Sequence, residues 1–324
     1  MSIVIIGSGA WGTTLAGLVN PAQTVRVWCE NADFVPQAKQ TLRKVAGADR
    51  PTTVVEVAFS SPLSADDVVL LVVPSSQIAS VARQIGQHCK SSCPPIVTAS
   101  KGLERASFRT MSQVIKAILP DAKVAVLSGP TIAREIADGR PAKLVLGCDD
   151  VHLLLHLART LRSDRLHLDM TRDTVDVELC AAMKGVFAIG SGVIAGRNLG
   201  CNYLGLLLTY GLREIRDLAR FLGISSAHVF GVAGLGDLVT TCFSHDSRNY
   251  RLGELLAKGV PLKDALDRVH MVVEGAMTAT AVSEMATLRL QVPLFAAIAR
   301  IVEQPSEEAF RHFEHVLVDY PGNG

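Results

Sequence analysis

The chain has 324 residues, enough for two domains at roughly 150 residues each. Its apolar set is 48%, its charged set 19% and its mean hydropathy +0.29, which excludes a chain too polar to fold. With 32 Lys and Arg against 31 Asp and Glu the net charge is +1, which excludes a global basic field for nucleic acid or an anionic membrane and makes any anion site local.

In chain order, Val/Ile-rich runs at 2–6, 24–28, 68–73, 96–99 and 124–127 predict short strands, and helical patterns lie between them. Near-continuous apolar strands of this kind form parallel sheets covered on both faces by helices. The texture changes around 166–177. Beyond it, helices are predicted over 176–195, 203–222, 250–258, 261–268, 275–289 and 293–303, with a frayed tail at 321–324. A boundary near Thr171 therefore divides an α/β domain, 1–171, from an all-α domain, 172–324.

The N-terminus is apolar without a basic leader, unlike a signal peptide. The longest apolar stretch, 185–196, lies between Lys184 and Arg197 and falls short of the roughly 18 residues that cross a bilayer, so no membrane anchor is expected. Seven scattered cysteines (Cys29, Cys89, Cys93, Cys148, Cys180, Cys201 and Cys242) form no paired zinc-ligand blocks and are expected to be reduced thiols of a cytoplasmic protein. No metal is expected.

The first strand runs into Gly7-Ser-Gly9-Ala10-Trp11-Gly12, a G-x-G-x-x-G turn that opens a helix. Gly7 permits the tight turn, Gly9 lets the backbone approach a pyrophosphate, and Gly12 lets helix and sheet pack closely, while the helix N-terminus offers amides to the anion. The second strand ends near Glu30, at the spacing where an acid binds the adenosine ribose. Together these predict a Rossmann-type dinucleotide-binding domain. If Glu30 reaches the 2′-hydroxyl it favours NAD over NADP; the alternatives are a solvated loop glutamate or one offset by Arg26.

Two further segments sit at carboxyl ends of predicted strands, where open α/β sheets bind ligands: Ser100-Lys101-Gly102-Leu103 and Ser128-Gly129-Pro130-Thr131. Each alone also reads as a strand-end turn. In the helical half, Lys184 interrupts a helix that is apolar nearly all round, which points to a paired or proton-transferring lysine unless it snorkels to the surface. Asp237, in Gly234-Leu-Gly236-Asp237, fits either a site acid or an N-cap. Ser247-Arg248-Asn249 places hydroxyl, guanidinium and amide groups at a helix start, suited to phosphate but equally to a surface turn.

Taken in order, these segments resemble the NAD(P)-dependent glycerol-3-phosphate dehydrogenase family, more closely its bacterial biosynthetic form than its animal cytosolic one. The resemblance runs from Gly7 to about Glu274 and includes Val177-Glu-Leu-Cys-Ala-Ala-Met-Lys184 and Val272-Val-Glu274-Gly275. It implies reversible reduction of dihydroxyacetone phosphate to sn-glycerol 3-phosphate for phospholipid synthesis, in a cleft between the two domains of a homodimer. By the same resemblance Lys184 is the proton acceptor and donor, and Lys101 and Asp237 hold the reacting end and tune it. Ser247, Arg248 and Asn249 hold the phosphate, with Gly129 and Thr131 completing the substrate wall. Gly7, Gly9, Ala10, Trp11, Gly12, Glu30, Lys101, Ala133, Arg248, Val272 and Glu274 contact the dinucleotide, NAD or NADP.

Three positions depart from the family pattern: Gly185 stands where an asparagine follows the lysine, Cys201 replaces an aspartate, and Tyr210 an arginine. Two competing readings remain at this stage. A related β-hydroxyacid or 6-phosphogluconate-type dehydrogenase would act on a carboxylate substrate, which the Ser247–Asn249 motif weighs against. A non-catalytic NAD(H)-binding sensor would bind dinucleotide without turnover.

Overall fold

The first strand explains the layering of the amino-terminal half. Ile3 and Ile5 pack into one core cluster and Val4 and Ile6 into another, the alternation of a strand buried on both faces. In the structure, a computed structural model that describes residues 2–46, 53–89, 92–104, 107–269, 273–286 and 290–321, the strands are β1 (Ile3–Ile6), β2 (Val25–Cys29), β3 (Thr53–Val57), β4 (Val68–Leu71), β5 (Ile96–Thr98), β6 (Val124–Ser128), β7 (Ala142–Gly147) and β8 (Leu166–Thr171). They form one sheet in the order β3-β2-β1-β4-β5-β6-β7-β8, parallel throughout except where β7 runs antiparallel to β6. The order reverses at β1 and β4, the topological switch at which doubly wound sheets bind ligands.

The helices of this half are α1 (Ala10–Leu18), α2 (Val35–Ala46), α3 (Ile78–His88), α4 (Met111–Ile118), α5 (Ala133–Ala137) and α6 (Val151–Leu161). Leu15, Leu42 and Leu157 of α1, α2 and α6 cover one face of the sheet, and Ile78, Ile85 and Ile115 of α3 and α4 cover the other. Their starts are coded locally. Thr110 and Gln113 form a capping box on α4, and Asp150 accepts from the Leu153 amide at the start of α6.

The chain divides into two compact units, Met1–Glu104 with Arg109–Val177 and Arg105–Phe108 with Glu178–Gly324. Among its described residues the second unit is helical: α7 (Thr174–Gly196) enters it, followed by α8 (Cys201–Phe221), a π-helical turn at Val232–Gly236, α9 (Asp237–Cys242), α10 (Arg248–Ala257), α11 (Leu262–Val269), α12 (Glu274–Ala286), α13 (Pro293–Glu303) and α14 (Glu307–Val318). Phe187 of α7 and Phe295 of α13 meet at 4.7 Å in its core. The apolar run containing Lys184 is longer than its sequence suggests. α7 has 23 residues and an 18-residue window of mean hydropathy 1.6, enough by length and composition to cross a membrane, but 83% of that window is buried within the protein. Packing has consumed the surface a bilayer would cover.

Candidate functional site

In the α/β unit the glycine turn is shaped by steric exclusion. Gly7 has φ +117°, a Cβ on it would strike the Val72 carbonyl oxygen, and a Cβ on Gly12 would strike the carbonyl oxygen of Gly7. Gly9 is the opposite case: nothing lies within 4 Å of where its Cβ would be. It is the N-cap of α1, and among the described residues no side chain caps it and no acid lies in the first turn. The leading amides and the positive end of the helix dipole therefore meet open backbone, which fits a pyrophosphate.

Ala10 is exposed at the start of α1, while Trp11 is half-buried and packs against the core cluster beneath it. The Gly7 amide donates to the Trp28 carbonyl at 3.1 Å, so Glu30, exposed and two residues farther on, stands at the same edge of the sheet. Arg26 is committed elsewhere, to Asp67 at 2.7 Å, Ser61 at 2.9 Å and the Pro62 carbonyl at 3.0 Å. Burial pushes the Asp67 carboxyl up, but hydrogen bonds from Ser64 and Ser2 and the charge of Arg26 outweigh it and hold the group below the usual carboxylate range.

At the ends of the neighbouring strands, Ser100 donates to the Val73 carbonyl at 2.5 Å and ties the turns after β4 and β5 together. The Lys101 ammonium donates to the Gly129 carbonyl at 3.4 Å, and Thr131 donates to the same oxygen at 3.3 Å. The structure thus gathers Lys101, Gly129 and Thr131 at one place, two residues before half-buried Ala133 opens α5.

In the helical unit Lys184 projects from α7 onto α9. Its ammonium bonds the Asp237 carboxylate and, at 3.0 Å, the Thr241 hydroxyl; the two charged side chains are only 13% and 1% exposed. Lys184 is paired rather than snorkelling. Asp237 is not an N-cap either, since Gly236 occupies that position and the carboxylate turns to the lysine. Thr241, a residue the sequence does not single out, donates in turn to the Asp237 carbonyl at 2.6 Å. The available signal is its i+4 spacing from Asp237, which puts both on one face of α9.

The next residue of α7 opens a second contact. A Cβ on Gly185 would lie 3.1 Å from Asn249 Nδ2 and 3.1 Å from the Gly275 Cα, so the start of α10 and the start of α12 both press on α7 there. Asn249 Oδ1 accepts from the Gly275 amide at 3.1 Å, which leaves its amide nitrogen as donor toward the Gly185 side. Ser247 caps α10 by accepting from the Tyr250 amide at 3.3 Å, and Arg248 beside it is exposed. Lys184, Asp237, Thr241, Asn249 and half-buried Glu274, the first residue of α12, are thereby linked through direct or adjacent contacts, whereas Val272 lies outside the described residues. The Cys242 thiol ends α9 fully buried, and burial pushes it up, so it offers no nucleophile. Among the described residues no group of three or more His, Cys, Asp or Glu is arranged to hold a metal.

The chain as a whole matches known proteins in sequence and in fold. The family model for the N-terminus of NAD-dependent glycerol-3-phosphate dehydrogenase matches residues 2–154, and that for its C-terminus matches residues 173–309. A glycerol-3-phosphate dehydrogenase [NAD(P)+] of Rhodospirillum rubrum is 37% identical over 311 residues, covering 91% of this chain and 86% of the relative. That of Lacticaseibacillus paracasei is 35% identical over 315 residues, covering 93% and 90%. The crystal structure of glycerol-3-phosphate dehydrogenase from Coxiella burnetii superposes with a TM-score of 0.86 at 28% identity, covering 98% of each chain.

Proposed function

This chain belongs to the NAD-dependent glycerol-3-phosphate dehydrogenase family, and on that premise we propose how its residues divide the reaction. It is an enzyme that interconverts dihydroxyacetone phosphate and sn-glycerol 3-phosphate with NAD or NADP. The observation that carries the residue assignment is the buried Lys184, held by Asp237 and Thr241 next to the contact of Gly185 with Asn249.

The dinucleotide, when bound, supplies the hydride to the carbonyl carbon or takes it back. By the family resemblance, Gly7, Gly9, Ala10, Trp11 and Gly12 would receive its pyrophosphate side and Glu30 its ribose, and Lys101, Ala133, Arg248, Val272 and Glu274 would make its further contacts. In reduction, negative charge grows on the carbonyl oxygen of the substrate. Lys184 stabilises that charge with its ammonium and gives the oxygen a proton from Nζ; the neutral amine left behind is reprotonated from solvent. In oxidation the neutral amine takes the hydroxyl proton. Asp237 and Thr241 hold Nζ in place, so the proton is delivered from a fixed atom. Lys101 orients the reacting end, with Gly129 and Thr131 beside it. Ser247 carries a hydroxyl, Asn249 an amide nitrogen and Arg248 a guanidinium fork, three donor groups suited to a phosphate at the start of α10. Phosphate binding energy then positions a three-carbon substrate that has little else to grip.

Residues 1–171 are assigned chiefly to the dinucleotide and 172–324 chiefly to substrate and proton transfer, each half also lending residues to the other ligand, in a cytoplasmic homodimer that supplies glycerol 3-phosphate for phospholipid synthesis. The test follows NADH and NADPH oxidation side by side. Consumption of either that depends on dihydroxyacetone phosphate is expected, and its absence with both overturns the function. Lys184→Ala should abolish turnover while NADH still binds; unchanged turnover in that variant overturns the role of Lys184.

A further inference from the structure

We propose that Ser191 is a positioning residue: its buried hydroxyl, bonded to the carbonyl at the end of α9, sets the angle at which α9 presents Asp237 and Thr241 to Lys184. The inference rests on the reading of Lys184 as the proton-transfer group.

Between Leu179 and Ile194 the side chains of α7 are apolar apart from Cys180, Lys184 and Ser191. Lys184 and Ser191 are seven residues apart, two helical turns, and so project from the same face with a rise of roughly 10 Å between them. α9 lies along that face. Lys184 holds its beginning through Asp237, the first residue, and Thr241 one turn on. Ser191 is 2% exposed, and its Oγ donates to the Cys242 carbonyl, the last residue, at 2.6 Å. The short helix is thus fastened to α7 at both ends.

It needs fastening. α9 has only six residues, Asp237–Cys242, and it continues a five-residue π-helical turn whose hydrogen bonding is irregular, so packing rather than its own length holds it. The Cys242 carbonyl is one of the acceptors that a helix end leaves without an intrahelical partner, and Ser191 satisfies it inside the protein. The anchor sits at a close helix crossing: a Cβ on the adjacent Gly192 would strike the Tyr250 carbonyl, so α7 and α10 are in backbone contact at this turn. With the Cys242 carbonyl released, α9 can turn against α7, and Asp237 and Thr241, which hold Nζ of Lys184, shift with it. Proton transfer is sensitive to such displacement, whereas phosphate binding at α10 does not involve α9.

The test compares wild type with Ser191→Ala and Ser191→Thr, using steady-state kinetics across pH and circular dichroism to establish folding. Ser191→Ala should lower kcat about ten-fold, leave KM for dihydroxyacetone phosphate and NADH within about two-fold, and displace the pH profile of kcat. Ser191→Thr, which keeps the hydroxyl, should restore most of kcat and the wild-type profile. A merely structural serine would lower Tm without changing kcat per folded molecule or its pH profile, and that outcome overturns the proposal. So does a kcat within about two-fold of wild type in Ser191→Ala. Should the alanine variant not fold, Ser191→Cys replaces it; its weaker donor should give a reduced kcat, and wild-type kcat and profile there overturn the proposal. Wild type that does not turn over dihydroxyacetone phosphate is a failure of the functional reading, visible before any variant is made.

Discussion

At Gly185 the missing side chain is not an empty space. Asn249 Nδ2 and the Gly275 Cα already stand 3.1 Å from where a Cβ would project, so two helix starts have moved into the volume that the family's asparagine would fill. Restoring that residue by Gly185→Asn should overpack the site and destabilise the protein by about 1–3 kcal/mol, read as a lower Tm; a stabilised variant with faster turnover would show that the gap is a simple loss. Asp237 offers a cleaner separation of charge from shape. Asp237→Asn keeps a hydrogen-bonding side chain of the same size beside Lys184 but removes the carboxylate, and kcat should fall about 100-fold with the fold retained by circular dichroism. Glu30 is exposed, so its influence on the 2′-position is screened; Glu30→Arg should raise the NADPH-to-NADH ratio of kcat/KM by about ten-fold, and an unchanged ratio removes it from cofactor choice. Lys184 is legible because an ionisable group in an apolar helix demands a partner; Asp237 is only half legible, because an acid after glycine reads equally as an N-cap until the carboxylate is seen on Lys184. Thr241 is not, since a threonine in a short helix is ordinary until Lys184 is seen bonded to it.

Among the elements, α13 shows the strongest dependence on a residue remote in sequence. It begins at Pro293 without a side-chain cap of its own, and its Leu294 and Phe295 amides donate to Glu214 of α8 at 2.7 and 2.9 Å. Tyr320 donates to the same carboxylate at 3.1 Å, stacks on Tyr210 at 4.1 Å and lies beneath the Arg213 guanidinium at 5.3 Å, so the departure at Tyr210 has a structural partner. Burial pushes Glu214 up to about 8; the three hydrogen bonds oppose the shift, and the charge of Asp217 adds to it. Because the folded protein holds this proton more tightly than the unfolded chain, the associated stability is fully present below the ordinary carboxylate range and is lost as pH rises through about 8. Tm should therefore be lower at pH 9 than at pH 6, and Glu214→Gln should flatten that difference while lowering Tm at pH 6, because its amide cannot accept from both backbone donors. Elements that announce themselves are readable: 293–303 is predicted as a helix and is one. β3 and β7 are not, for their runs are interrupted by charged Glu56 and Lys143, at positions where only pairing with a neighbouring strand decides the conformation. α9 has too few residues to show a period. α14 does carry a signal in its Ser306 cap and the two acids that follow, and is then held through Arg197, which bonds Glu307 at 2.9 Å and Glu314 at 2.8 Å.

For the whole molecule, the sequence already separates a strand-rich half from a helical half, because the change from β-branched runs to long apolar helices is a change of period and needs no tertiary information. Charge behaves differently: a net +1 describes no site, whereas the groups assigned to anions are local, the α1 amides in one unit and the α10 start with Arg248 in the other. Substitutions confined to residues assigned to one ligand should leave the response to the other intact. A ligand that binds only folded protein stabilises it by RT ln(1 + [L]/Kd), about 2.7 kcal/mol at one hundred times Kd, and thermal unfolding reports that as a shift in Tm. NADH should raise the Tm of wild type, and so should glycerol 3-phosphate added with it. Ser247→Ala, together with Asn249→Ala, removes phosphate donors from the start of α10 without touching a residue assigned to the dinucleotide, so the NADH shift should remain and the additional glycerol 3-phosphate shift should disappear. Conversely, Gly9→Val fills the open backbone at the start of α1 and should abolish the NADH shift. Differential scanning fluorimetry on the three proteins decides the matter: if the α10 variant keeps its glycerol 3-phosphate shift, or the Gly9 variant its NADH shift, the assignment of that ligand to those residues is wrong.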